Sequence, residues 1–363
     1  MESLMKFVTI VGARPQFIKC AAVSRVLRKK HTEILVHTGQ HYDYGMSEVF
    51  FKELDIPTPD YNLGIGSGSH GHQTGAMLAA IEDILIHEEP DMLLVYGDTN
   101  STVAGALAAA KLHIPVVHVE AGLRSFDRRM PEEINRVITD HLSGILFCPT
   151  LTAVRNLKSE GIVDGVYHVG DVMTDAVLFN RQRAEKQSRI LDEAGLLPKN
   201  YVTATIHRPS NTDSADNMRA ILAAFGSCGK TVVFPIHPRT RKYLHEYNLT
   251  VPESVILTDP LGYLDMLQVM ANAERIITDS GGIQKEAYLL RVPCVTLREN
   301  TEWIETLDGG WNILIHSAST SEITKALTEP RHPDSWIPVF GEGGGAENIV
   351  ECLEKQEKTS LSA

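Results

Sequence analysis

The chain has 363 residues, and none of its apolar runs approaches the ~20 residues that a membrane-spanning helix requires. It opens Met1-Glu2-Ser3-Leu4-Met5-Lys6 and passes straight into a strand-like segment, without the apolar stretch and small-residue cleavage site of a secretory signal. No membrane partner and a cytoplasmic location are therefore expected. Cysteine is sparse: Cys20, Cys148, Cys228, Cys294 and Cys352 are odd in number, scattered and never spaced as CxxC, which fits buried free thiols in a reducing compartment. Positive charge is in deficit, with 34 Lys and Arg against 46 Asp and Glu and a formal net charge of −12. That balance argues against a nucleic-acid or anionic-membrane binder. A phosphorylated ligand would need a local cluster of cations and helix ends. Cofactor signatures are wanting where they would count. The turn after the first strand, Gly12-Ala13-Arg14-Pro15, is not the GxGxxG dinucleotide fingerprint, so NAD is disfavoured; without HExxH or a close His/Cys ligand spacing, zinc is disfavoured too, despite 15 histidines. There is no short internal repeat and no low-complexity tract.

What is present is an ordinary globular balance, 43% hydrophobic and 22% charged, in a chain too long for one ordinary core. Short β-branched runs at 7–11, 33–37, 92–96, 116–119, 145–148 and 166–169 alternate with amphipathic stretches at 17–30, 73–87, 102–112 and 131–142. That alternation predicts βαβ units and a parallel sheet with helices on both faces. A charge-dense stretch, 180–200, reads as helix plus linker. The alternation then restarts, with strand candidates at 201–206, 231–236, 255–257, 275–278, 294–297 and 312–315. The expected architecture is α/β: two Rossmann-like doubly wound domains, 1–179 and 201–345, with a central cleft where ligands bind beyond the strand ends. A last helix near 346–357 is expected to join the first domain, ahead of a frayed tail.

Several strand ends carry polar residues suited to chemistry. After the first strand, Gly12-Ala13-Arg14-Pro15 combines a turn-permitting glycine with proline at a helix start. Its helix N-terminus offers N–H groups to an anion, with Arg14 and Lys19 adding charge. Asp98 follows the run 93–96, and Glu120 follows 116–119. One such acid serves equally well as a helix cap; two in one domain should face the same crevice. Glu132 and Arg136, four apart in Pro131-Glu132-Glu133-Ile134-Asn135-Arg136, share a helix face, with Glu133 pointing elsewhere. In the second half, His207-Arg208 and His237-Pro238-Arg239 end two strands and suit phosphate or acid–base contacts. Asp279-Ser280-Gly281-Gly282 opens a helix as a second phosphate cradle, with Glu286 a turn further on.

Taken in order, these segments, together with Thr38-Gly39-Gln40-His41, Gly97-Asp98-Thr99 and His118-Val119-Glu120-Ala121-Gly122-Leu123-Arg124, resemble the non-hydrolysing UDP-N-acetylglucosamine 2-epimerase family from about Phe7 to Trp311. The resemblance implies the two-domain GT-B architecture, no cofactor, and a homodimer whose partners are UDP and a UDP-sugar. It implies that UDP is eliminated to leave an enzyme-held glycal, C2 is reprotonated on the other face, and UDP adds back. Asp98, Glu120 and Glu132 match the family's acid–base carboxylates, and Arg136 and His207 match residues that support catalysis and the phosphates. Arg14, Lys19, His237, Met266, Ser280, Gly281, Gly282, Glu286 and Arg298 match substrate and UDP contacts. Gln40, His41 and Arg208 match part of an activator site found in several bacterial members.

The chain departs from the family pattern once. In Arg298-Glu299-Asn300-Thr301-Glu302-Trp303-Ile304-Glu305, Trp303 stands where many members have arginine. That version resembles relatives acting on UDP-2,3-diacetamido-2,3-dideoxy-glucuronate, which makes Trp303 the candidate for sugar specificity. The competing functions are a UDP-sugar glycosyltransferase of the same fold, a hydrolysing epimerase and a non-catalytic UDP-sugar sensor. Three acids beside Arg136 favour proton transfer over simple sugar transfer or mere sensing, while a hydrolysing epimerase would be told apart by its release of free N-acetylmannosamine.

Overall fold

The computed structural model describes residues 4–40, 53–316, 318–330 and 333–360. The chain divides into two compact units, Met1–Leu178 with Pro338–Ala363, and Phe179–Ile337. The boundary falls inside the helix Val172–Gln187, so the charge-dense stretch 180–200 begins as helix and continues into the short helix Ile190–Glu193.

In the first unit, β1 (Lys6–Val11), β2 (Thr32–His37), β3 (Tyr61–Asn62), β4 (Met92–Tyr96), β5 (Val116–Val119), β6 (Ile145–Cys148) and β7 (Val166–His168) form a sheet in the order β3-β2-β1-β4-β5-β6-β7. Every pairing is parallel. Helices cover both faces, which is why the strands read as nearly unbroken apolar runs rather than alternating ones. Val8, Ile10, Val36, Leu93 and Val95 pack with Ile81 of the helix His70–Glu88 in one core. The two-residue β3 was invisible in the sequence, since Tyr-Asn before Leu63-Gly64 shows no strand pattern.

The second unit repeats the plan. Its strands β8 (Tyr201–Thr205), β9 (Thr231–Pro235), β10 (Val255–Thr258), β11 (Arg275–Thr278), β12 (Cys294–Thr296) and β13 (Asn312–Leu314) run parallel in the order β10-β9-β8-β11-β12-β13. Phe225 and Phe234 meet edge to face at 5.9 Å in its core. Two doubly wound parallel α/β units are what the alternation of strand and helix predicted.

In each sheet the strand order reverses once, between β1 and β4 and between β8 and β11. Loops leaving such a pair diverge to opposite faces and open a crevice at the carboxyl ends.

The chain returns to the first unit through Phe340, whose carbonyl accepts from Asp171 N at 3.0 Å and Thr174 Oγ1 at 3.2 Å. The helix Gly345–Ser360 then packs on the helix Arg14–Leu27 through buried Ile349, Val350 and Leu353. Asp175 accepts from Gly344 N at 2.6 Å and Ala346 N at 2.8 Å, so its carboxylate caps the returning helix. Four of the five thiols are buried, and burial pushes Cys148 up to about 12; Cys352, on the returning helix, is half-buried. Asp175→Ala should therefore destabilise the first unit by about 1–2 kcal/mol through the lost cap. Alkylation of Cys352 in native protein should accelerate as the helix undocks more often. An unchanged labelling rate would show that the cap does not hold the helix.

Candidate active site

Each unit carries its own cluster of polar residues at its strand reversal. In the first, the turn after β1 is closely packed: a Cβ on Gly12 would lie 2.1 Å from Thr38 Oγ1 and 2.2 Å from Ser101 Oγ. Only glycine fits. Gln16, fully buried, accepts from Gly12 N at 2.8 Å and Ala13 N at 3.0 Å and donates to Tyr96 O at 2.9 Å and Thr102 Oγ1 at 3.0 Å. These bonds tie the ends of β1 and β4 together. They also take up the amides of Gly12 and Ala13, just ahead of the helix, and Pro15 has none to give. Arg14 is the first residue of the helix Arg14–Leu27 and is half-buried.

Asp98 and Glu120 emerge from the adjacent strands β4 and β5, each ion-paired to a buried cation. Glu120 meets Lys19, with both side chains only 6% exposed. Glu120 holds φ at +74°, a left-handed conformation costing about 1–3 kcal/mol in a residue with a β-carbon. Its amide still donates to Phe147 O at 3.1 Å. A Cβ on Gly97 would lie 3.4 Å from Lys19 Nζ and 3.5 Å from Glu120 Oε1, so this ion pair rests against the residue preceding Asp98. Asp98, half-buried, accepts from Arg136. Burial pushes the Asp98 carboxyl above its ordinary value; Arg136 opposes this, Glu120 adds to it, and Lys19 and Glu132 contribute smaller effects of opposite sign.

The helix Pro131–Leu142 locks this arrangement. Asn135 Nδ2 donates to Asp98 O at 3.0 Å and Asn100 Oδ1 at 3.1 Å, while Arg136 holds the Asp98 carboxylate. Here the expected pairing is corrected. Arg136 contacts Glu133 at 3.3 Å, three residues back, and Glu133 is buried; Glu132 is exposed and reaches Asp98 through its charge. Glu133 looked incidental in the sequence because the loop it serves is remote from any periodic pattern. It accepts from Ser125 N at 2.8 Å, Ser125 Oγ at 2.9 Å and Phe126 N at 3.0 Å, pinning the loop after Glu120. Gln40 lies near this cluster, accepting from Ser101 N at 3.0 Å and Ser101 Oγ at 2.7 Å. His41 lies outside the described residues.

In the second unit, Asp279 organises the reversal. Wholly buried, it accepts from His207 N at 3.0 Å, Arg208 N at 2.9 Å and Asn211 Nδ2 at 3.0 Å, binding the turn after β8 to the end of β11. Asp279 thus faces inward, whereas its place in Asp279-Ser280-Gly281-Gly282 suggests the phosphate cradle. The His207 and His237 rings lie 5.4 Å apart, and His237 Nδ1 caps its own helix by accepting from Arg239 N at 3.1 Å. Ser280 caps the helix Gly281–Leu289. A Cβ on Gly281 would fall 2.3 Å from Glu302 Oε1, so the Glu302 carboxylate stands at that helix N-terminus, paired with Arg298 Nη2 at 2.9 Å. Gly282 follows with open space around it, its nearest neighbour being Ser280 Oγ at 4.0 Å. Glu286 is buried a turn into the helix, and Met266 is buried on the helix Tyr263–Asn272.

Trp303 is buried, 4% exposed, and the Lys285 ammonium lies 3.9 Å from its ring centroid. Lys285 is itself 1% exposed, so this cation–π contact is desolvated and worth about 2 kcal/mol. Among the described residues no three His, Cys, Asp or Glu side chains gather as metal ligands, and no helix is long and apolar enough to cross a membrane.

One doubly wound unit thus presents paired strand-end carboxylates, and the other a glycine-opened helix N-terminus. The profile of the family described as UDP-N-acetylglucosamine 2-epimerase matches residues 25–354. Over 96% of the chain it is 56% identical to a Methanococcus maripaludis protein named UDP-N-acetylglucosamine 2-epimerase homolog, covering 99% of that protein. Over 97% it is 46% identical to the UDP-2,3-diacetamido-2,3-dideoxy-D-glucuronate 2-epimerase of Pseudomonas aeruginosa, covering 100% of it. The Methanocaldococcus jannaschii UDP-GlcNAc 2-epimerase, solved in complex with UDP-GlcNAc and UDP, superposes with a TM-score of 0.88 at 44% identity, covering 97% of this chain and 100% of that one. The chain belongs to the UDP-N-acetylglucosamine 2-epimerase family, and the protein is an isomerase.

Trp303→Arg, which would restore the common family residue, would set a guanidinium against the buried Lys285 ammonium. The expected cost is roughly 3 kcal/mol or more for an uncompensated buried charge, read as a fall in Tm, with Trp303→Phe retaining most of the stability. A Trp303→Arg protein as stable as wild type would mean that Lys285 does not rest on the ring.

Proposed function

We propose that the protein inverts carbon 2 of UDP-N-acetylglucosamine, interconverting it with UDP-N-acetylmannosamine without releasing free sugar. The observation that carries this is the Asp98 and Glu120 pair: two carboxylates from adjacent strands, each held by its own cation, one shifted toward the protonated form. One carboxylate removes the C2 proton as the C1–O bond breaks and its electron pair leaves on UDP, forming a C1=C2 glycal. A proton returned to the opposite face of C2 and attack of UDP at C1 complete the inversion. A C2 hydrogen without a neighbouring carbonyl is weakly acidic, so departure of the diphosphate must drive its removal.

Glu132 joins the acid–base set, Lys19 and Arg136 steady the carboxylates, and His207 supports the phosphates. Arg14, His237, Ser280, Gly281, Gly282, Glu286, Arg298 and Met266 are assigned to the nucleotide. For an anionic diphosphate to use the helix beginning at Gly281, the Glu302 carboxylate must move aside, which would release Arg298 to the ligand. Gln40, His41 and Arg208 are assigned to an activating second UDP-sugar, to be read as a sigmoidal rate curve that Arg208→Ala makes hyperbolic. The working form is proposed to be a cytoplasmic homodimer, for which light scattering would read twice the 40.1 kDa of one chain.

A second reading takes the 3-acetamido uronate sugar as substrate, favoured by the Pseudomonas relative. On that reading Trp303 acts by packing the segment that carries Glu302. Comparing kcat/KM for the two UDP-sugars decides between them.

In deuterated water, substrate and product should both gain deuterium at C2; full retention of hydrogen during epimerisation would exclude the elimination route. Asp98→Asn, Glu120→Gln and Glu132→Gln should each lower turnover by roughly 10²-fold or more with little change in UDP affinity. Arg14→Ala and Ser280→Ala should act chiefly on that affinity. Near-normal turnover in any carboxylate variant removes that residue from the mechanism.

A further inference from the structure

His118 lies on β5, two residues before Glu120, and is completely buried. Its Nε2 is 2.7 Å from the Gly97 carbonyl oxygen, and its Nδ1 is 2.7 Å from Asp140 Oδ1. A carbonyl only accepts, so Nε2 carries the hydrogen and donates it to Gly97. Asp140 also accepts from Gly122 N at 3.1 Å and Arg124 Nη1 at 2.6 Å through its other oxygen. Burial alone would raise the Asp140 carboxyl, but hydrogen bonds and charge from His118 and Arg124 outweigh it and hold the group below its ordinary value. Asp140 is therefore a carboxylate, and its Oδ1 faces His118 Nδ1. Arg124 in turn pairs with Glu160 at 2.7 Å, so the chain of buried charges ends at a partly exposed acid.

The arrangement has a consequence for the acids above it. Gly97 immediately precedes Asp98, and Gly122 follows Glu120 by two residues; both glycines have positive φ, +59° and +80°. Neither turn is fixed by helix or strand bonding alone. The His118–Asp140 pair holds one end of each: the carbonyl of the first through the ring, the amide of the second through the carboxylate. We propose that His118 is a positioning residue, setting the placement of Asp98 relative to Glu120 through its hydrogen bond to the Gly97 carbonyl. This rests on Asp98 and Glu120 being the acid–base pair. The chemistry is sensitive to such placement, since a misplacement of about 1 Å costs on the order of 10²-fold in rate.

Two neutral replacements separate positioning from plain support. His118→Gln sets an amide N–H near the Nε2 position, able to reach Gly97 O but leaving Asp140 without its ring partner. His118→Asn sets the amide near Nδ1, keeping a donor for Asp140 and abandoning Gly97. The measurements are kcat and KM for UDP-N-acetylglucosamine, C2 deuterium exchange, UDP affinity by calorimetry, and Tm. His118→Asn should lose on the order of 10²-fold in kcat and in exchange, with UDP affinity within about twofold of wild type. His118→Gln should recover most of that loss, to within about tenfold of wild type, even where its Tm is the lower of the two. If turnover follows Tm across the pair, or UDP affinity falls in step with kcat, His118 is structural support and the proposal fails. Should His118→Asn not fold, Asp140→Asn decides. It leaves the ring donating to Gly97, so turnover should fall less than about tenfold; a larger loss in folded protein overturns the proposal. A wild-type enzyme that exchanges no C2 hydrogen would instead refute the proposed reaction, which distinguishes the two failures.

Discussion

Parallel pairing dictates where chemistry can sit in this molecule. Strands that run the same way need a crossover between them, so every strand of a sheet delivers its carboxyl end to one edge. The crossovers also diverge where the strand order reverses. Both sheets reverse once, β1 against β4 and β8 against β11. The two reversals are closed alike, by one buried polar side chain that grips the opposite turn. Gln16 does this in the first unit, reaching from the helix after β1 to the end of β4. Asp279 does it in the second, from the end of β11 to the turn after β8. An apolar residue at either position would leave several backbone N–H groups buried without partners.

A second constraint is electrostatic. A chain with a net charge of −12 has few cations to place, and it sets several of the buried ones against its own carboxylates. Lys19 and Arg136 face carboxylates in the first unit, and Arg298 faces Glu302 in the second. The two uses differ. Lys19 is walled in with Glu120, so that pair behaves as one rigid unit whose separation would leave a buried charge uncompensated. The Glu302–Arg298 pair stands at a helix N-terminus, where a stronger anion can compete for the same dipole and the same guanidinium.

Much of this was legible before any coordinates. Strand positions followed from β-branched runs, and Asp98, Glu120, His207 and Ser280 stood out as candidates because each lies within two residues of the end of such a run. What escaped notice was whatever depends on a contact distant in sequence. Glu133 and Glu132 are adjacent on one helix, and only the position of the loop carrying Ser125 and Phe126 tells which is buried. Trp303 stood out as a candidate for sugar specificity through a resemblance to certain relatives; that the Lys285 ammonium lies over its ring is a fact of packing with no local signature. The left-handed backbone of Glu120 was likewise hidden, since the sequence there shows an ordinary acid before Ala-Gly.

The returning helix Gly345–Ser360 gives the fold an order in time. The first unit is built from the first 178 residues and from the segment beginning at Pro338, and the second unit lies between them. During synthesis, with domains folding as units while the chain emerges, the second unit is complete while the helix Arg14–Leu27 is still uncovered along the face that Ile349, Val350 and Leu353 later bury. The half that carries Asp98 and Glu120 can thus bury this face only after the whole second unit has been synthesised.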